Sequence, residues 1–92
     1  MRINGISADS RDTVVTVTED VRQGETVRYR SGSRELTVKA LEPIPVYHKI
    51  AAAPAAKGDA ILKYGERIGV ALVDIEAGEH VHEHNLGPRL ED

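Results

Sequence analysis

The chain has 92 residues, a formal net charge of −3 and 40% hydrophobic residues, with no Phe, Trp or Cys. A single domain of this size must build a thin core from Val, Ile, Leu and Ala, and without cysteine it has no disulfide framework, thiol nucleophile or thiolate-bound zinc. Basic and acidic residues are interspersed, no apolar run approaches the roughly 20 residues of a membrane span, and the start Met1-Arg2-Ile3-Asn4-Gly5 lacks the pattern of a signal peptide. The expectation is a soluble cytoplasmic protein with neither a nucleic-acid nor a membrane partner.

Residues 1–12 carry Asn4-Gly5 and a polar run, and read as a loosely held arm or a short edge strand. Residues 13–18 are β-branched throughout and predict a strand. Gly24 marks the corner of the turn that follows. Residues 26–30 and 34–41 alternate on either side of Ser31-Gly32-Ser33 and predict a hairpin. Pro43 and Pro45 exclude a helix and a central strand, so this stretch is an extended loop leading into a short strand at 49–51. Pro54 and Gly58 limit the alanine-rich segment between them to a turn. Residues 60–64 predict a strand ending at a Gly65-Glu66 turn, and 67–75 predict a longer apolar strand. Short strands with turn signals every eight to twelve residues and no convincing helix predict an all-β fold, a compact barrel or folded ribbon.

A glycine followed by an acid and then a strand recurs at Gly24-Glu25, Gly58-Asp59 and Gly78-Glu79, as one turn type used three times. The third copy feeds Gly78-Glu79-His80-Val81-His82-Glu83-His84-Asn85, which holds three of the four histidines of the chain. In a strand, residues two apart share a face, so His80, His82 and His84 would line one side, about 6.5–7 Å apart, opposite Val81 and Glu83. Imidazoles so placed can ligate a metal, bind an anionic substrate or form a solvated polar face. A closed metal site would need ligands from elsewhere in the chain.

The combination of Tyr47-His48-Lys49-Ile50, Lys57-Gly58-Asp59, Lys63-Tyr64-Gly65-Glu66, Ile68-Gly69, Asp74-Ile75, Gly78-Glu79-His80-Val81-His82 and His84-Asn85-Leu86 resembles the small N-terminal domain of the altronate dehydratase family. The same module occurs in galactarate dehydratase and as the small subunit of sulfolactate sulfo-lyase. It is known as a SAF domain, a compact β-clip fold shared with type III antifreeze proteins and sialic acid synthase tails. The resemblance is best over 36–86, and residues before it fit in strand pattern. Where the family usually has a glycine before His-Lys this chain has Tyr47, which would crowd a site normally kept bare.

The resemblance implies a part in the metal-dependent removal of water from an aldonate or aldarate. Such a reaction takes a proton α to a carboxylate and expels a β-hydroxyl, with cations stabilising the enediolate. Implied catalytic residues are His48 and Lys49, with Lys49 and Lys63 as carboxylate or oxyanion contacts. Lys63, Tyr64, His80 and Asn85 would bind substrate. His82 and His84 would hold a divalent metal ion, Fe2+ above others, and the whole cluster would form one site with lowered histidine proton affinity. The plainer readings are solvated lysines, Tyr64 packing over its turn and Asn85 forming one.

In the family most of the catalytic body lies in a separate, much larger domain, so the implied partner is a large dehydratase subunit or domain. The isolated chain is expected to be inactive and to self-associate into a homo-oligomer. A sulfo-lyase small subunit, and a non-catalytic module that binds an acidic sugar or supports assembly, are the competing readings.

Overall fold

Val14, Val15, Thr16 and Val17 are β-branched at successive positions, which restricts χ1 and favours an extended backbone. They form strand β2 (Val14–Val17) at the centre of the fold. In the computed structural model, which describes residues 2–88, all regular structure among those residues is strand. β1 (Gly5–Ile6) pairs with β2, β2 with β5 (Lys49–Ala51), and β5 with β8 (His80–Val81), all antiparallel.

This small sheet is the middle of three layers. Val15, Val17 and Ile50 pack on one face against Val27 and Tyr29 of the hairpin β3 (Thr26–Ser31) and β4 (Arg34–Lys39). Val14, Ala51 and Val81 pack on the other against Ile61, Ala71 and Leu86. Those residues come from β6 (Ala60–Lys63), β7 (Glu66–Ala71) and β9 (Leu86–Gly87), the second outer sheet. Burial on both faces explains why β2 is apolar nearly throughout instead of alternating with polar residues. Each fully buried Val or Ile side chain contributes about 1.5–3 kcal/mol, so a core without Phe or Trp still suffices.

Four turns of one design connect these layers. In each, a backbone N–H donates to the carbonyl three residues earlier: Glu25 to Arg22, His48 to Pro45, Asp59 to Ala56 and Glu79 to Glu76. The residue before each donor has positive φ: Gly24 at 89°, Tyr47 at 66°, Gly58 at 92° and Gly78 at 97°. In three of them the acid also accepts from a backbone N–H through its side chain, Glu25 from Arg22, Asp59 from Ala56 and Glu79 from Glu76. The turns join in pairs through the bridges Val21–Ile44 and Ala55–Ile75. Asp20 and Asp74 reinforce the pairs by accepting from the Val46 and Lys57 amides.

The all-β, SAF-like fold expected from the sequence is present, with changes at four places. Of the two readings of the N-terminal stretch, residues 5–6 form the edge strand, and Asn4 is buried with its amide bonded to Thr26 and Arg28 of β3. The strand expected at 67–75 stops at Ala71, because the chain bends there to bring Ile75 against Ala55. The turn expected at Gly65-Glu66 lies one residue earlier, with Tyr64 and Gly65 both at positive φ between the paired Lys63 and Glu66. The histidine strand ends at Val81, and residues 82–85 form a turn closed by the Asn85 side chain.

Candidate functional site

His48 and His80 meet because their elements are neighbours. His80 lies opposite Ile50 in the β5–β8 register, and His48 stands two residues before Ile50, so both project from the same face of the sheet. His48 Nδ1 lies 2.8 Å from His80 Nε2, a hydrogen bond in which one ring donates and the other accepts. The His82 ring stacks on His48 at 4.4 Å between centroids, and His84 stands 5.4 Å from His80. One ring nitrogen each from His48, His80 and His82 lie within 4.8 Å of one another. All three rings are half-buried.

Each member is fixed by its surroundings. In the second of the four turns Pro45 has no N–H to offer, so the position occupied elsewhere by Glu25, Asp59 or Glu79 needs no acceptor. His48 occupies that position and is free to face the cluster. Asn85, buried, accepts from the His82 amide at 2.9 Å and donates to the His80 carbonyl at 2.8 Å, which turns the chain so that His82 comes back over His48. Glu42 accepts from the His80 amide at 3.0 Å. Burial pushes the His80 pKa below its ordinary value, repulsion from His48, His84 and His82 adds to the shift, and the Glu42 charge opposes it. A neutral imidazole is the form that ligates a metal or accepts a proton.

The lysines lie elsewhere. Lys49 is opposite Thr16 and Val81 in register, and so projects from the other face of the central sheet. Burial lowers its pKa, and the positive charge of Lys63 lowers it further. Lys63 Nζ sits 4.9 Å above the Tyr64 ring, and Tyr64 itself is exposed. The single cluster expected from sequence is therefore two groups on opposite faces: His48, His80, His82 and His84 on one, Lys49, Lys63 and Tyr64 on the other.

Three further expectations change with this geometry. The metal pair expected from the resemblance is His82 with His84, but among the described residues the converging nitrogens belong to His48, His80 and His82. Both polar ends of the Asn85 amide are occupied by backbone, so it acts as a turn former. Tyr47 does not crowd the histidines; it is 73% exposed. What the usual glycine supplies there is its positive φ. Glu42 escaped the sequence reading, since an acid before Pro43 carries no motif, and so did Pro45, which gave no sign that its missing N–H would free His48.

The chain matches the family described as Altronate/galactarate dehydratase SAF domain over residues 3–88. It belongs to that family. The match reaches back through the first two strands, where the motifs alone gave only a strand pattern. The SAF domain is 37% identical over 87 residues to an altronate dehydratase of Escherichia coli (strain K12), and 34% identical over 87 residues to one of Bacillus subtilis (strain 168). Each alignment covers 95% of this chain and 17% of the dehydratase, so the chain spans about a sixth of the length of these relatives. It is also 34% identical over 89 residues to the (2R)-sulfolactate sulfo-lyase subunit alpha of Chromohalobacter salexigens, covering 94% of this chain and 95% of that subunit. Among the described residues no helix is long and apolar enough to cross a membrane.

Proposed function

We propose that this SAF domain is the small module of a sugar-acid lyase of the altronate dehydratase type, working with a much larger catalytic chain or domain to remove water from an aldonate or aldarate in the cytoplasm. The observation that carries the reading is the convergence of His48, from the turn before β5, with His80 of β8 and His82 of the turn after it. Tetrahedral ligation at about 2.0–2.1 Å per imidazole asks for nitrogens roughly 3.3 Å apart, and a group already within 4.8 Å needs only small ring rotations to reach it. His48, His80 and His82 would thus hold a divalent ion, with Fe2+ the expected one, and leave further positions open to substrate or to the large partner. When bound, the ion supplies a Lewis acid for a carboxylate and its developing enediolate.

The chain's own residues contribute in defined ways. His80, kept neutral by burial and by its neighbours, is available as a ligand or proton acceptor. Its hydrogen bond with His48 couples the two rings, one donating and the other accepting, so a proton can be shared between them. Glu42 and Asn85 hold the backbone on either side of these rings.

Coverage of nearly all of a stand-alone sulfo-lyase subunit favours a second reading, in which this chain is the alpha subunit of an enzyme expelling sulfite instead of water. Co-purifying the chain with a large chain of the altronate dehydratase type, and assaying altronate, galactarate and sulfolactate, separates the two. Activity on a sugar acid, reduced about 10²–10⁴-fold by His82→Ala, is the expected result. Sulfite release alone selects the second reading. A stable complex whose turnover ignores His82→Ala would make the chain an assembly module.

A further inference from the structure

The first and second of the four turns are locked side by side. Val21 and Ile44 exchange backbone hydrogen bonds at 2.9 and 2.8 Å, and Asp20 Oδ1 accepts from the Val46 amide at 2.9 Å. An open groove of about 310 Å³ runs between these turns, lined by Asp20, Val21, Arg22, Pro43, Ile44 and Pro45. Val21 and Ile44 are buried beneath it, and both prolines are exposed along it. Ligand pockets begin at about 300 Å³, so one aromatic ring fits with room to spare.

Two residues past Pro45 stands Tyr47, on the same locked pair of turns. It is held at φ 66° with its ring 73% exposed. Among the described residues no ring stack, cation–π contact or hydroxyl hydrogen bond engages that ring. Tyr64, the other tyrosine at positive φ, carries the Lys63 ammonium over its face. Strained positions of this kind cluster at active sites, ligand clamps and switches. The groove beside Tyr47 offers what a phenol ring binds. Its prolines present apolar surface, and the Arg22 guanidinium, in no ion pair among the described residues, can lie over a ring face. Asp20 spends only Oδ1 on the Val46 amide, which leaves Oδ2 to accept from a hydroxyl.

We infer that two copies of this chain associate about a two-fold axis, with the Tyr47 ring of each seated in the proline-walled groove of the other. Ring and groove adjoin on one surface, which makes that surface self-complementary, as a closed two-fold contact requires. Each ring buries about 150–250 Å², so the two insertions stay below the ~1,200 Å² of a standard interface and the dimer is weak. The contact belongs to a chain with tyrosine at this position, since the glycine usual in the family has no ring to insert. It stands whether or not the histidines take a metal.

The test is sedimentation velocity of the intact chain between about 10 and 500 µM, a range suited to so small an interface, on the wild type, Tyr47→Gly, Arg22→Ala and Tyr64→Gly. A monomer–dimer equilibrium is expected. Tyr47→Gly should weaken it at least about tenfold, as the loss of a central aromatic anchor, and Arg22→Ala about threefold. Tyr64→Gly should leave it within about twofold. Glycine suits the backbone at position 47, so a dimer lost in Tyr47→Gly reports the ring's contacts and not unfolding. In a mixture of ¹³C-labelled and unlabelled chain, isotope-filtered NOEs should run from the Tyr47 ring of one copy to Pro43 and Pro45 of the other. A wild type that stays monomeric, a Tyr47→Gly dimer as tight as the wild type, or inter-copy NOEs that miss the groove would overturn the inference. So would a Tyr47→Gly chain that still dimerises but no longer binds the large chain, which would assign the ring to that partner.

Discussion

Tyr47 holds φ at 66° where the three sister turns have glycine. A side chain in the left-handed region costs about 1–2 kcal/mol, and glycine costs about 0.5–1 in lost chain entropy, so Tyr47→Gly should stabilise the fold by roughly 0.5–1 kcal/mol. Urea unfolding measures this, and a loss of stability would mean that the Tyr47 ring makes contacts its exposure does not suggest. Asn85→Ala should act in the opposite direction. It strands the His82 N–H and the His80 carbonyl, at about 1–3 kcal/mol, and should disturb the His82 ring signals. His80 titrates below its ordinary 6.5 in the folded chain, so below that pH the unfolded chain binds more protons and stability falls as pH drops. Denaturation between about pH 5 and 7 should show stability rising with pH, and His80→Gln should flatten that rise; an unchanged slope in the variant would assign it to other groups.

The repeated turn shows what the sequence made legible and what it hid. Three copies were readable because glycine and an acid mark the positive φ and the side-chain acceptor. The copy that matters most was not, because Tyr47 replaces the glycine, His48 the acid and Pro45 the donor. The valines of β2 predicted a strand from local preference alone, whereas the end of β8 depends on Asn85 capturing the His82 amide, a contact no alternation pattern encodes. Likewise the separation of lysines from histidines follows from pairing register across 30-odd residues, which motif spacing does not contain. The turns differ in tightness as well as sequence. A Cβ on Gly78 would collide with the Lys39 carbonyl oxygen, while one on Gly24 meets nothing within 4 Å. Gly24→Ala should therefore cost about 1–2 kcal/mol from its backbone conformation alone, and Gly78→Ala at least about 1 kcal/mol more. Equal losses in the two variants would show that the Gly78 turn has room to shift.

A three-layer domain with an apolar middle sheet needs no help to cover its core, yet Ile6, Leu41, Tyr47, Tyr64 and Val73 stay exposed around it. Self-association of the chain made alone is expected from such a surface, and light scattering at tens of micromolar, read with and without the large chain, would report it. The domain brings four histidines together and leaves two lysines on the far face, so the two chemistries can be tested apart. Calorimetric titration of the metal-free chain with Zn2+ and Fe2+ addresses the histidine centre most directly. Weak binding is predicted, because three imidazoles leave the coordination shell incomplete, and it should be abolished by His48→Ala or His82→Ala and retained in His84→Ala. Binding that survives His48→Ala and disappears in His84→Ala would contradict the account.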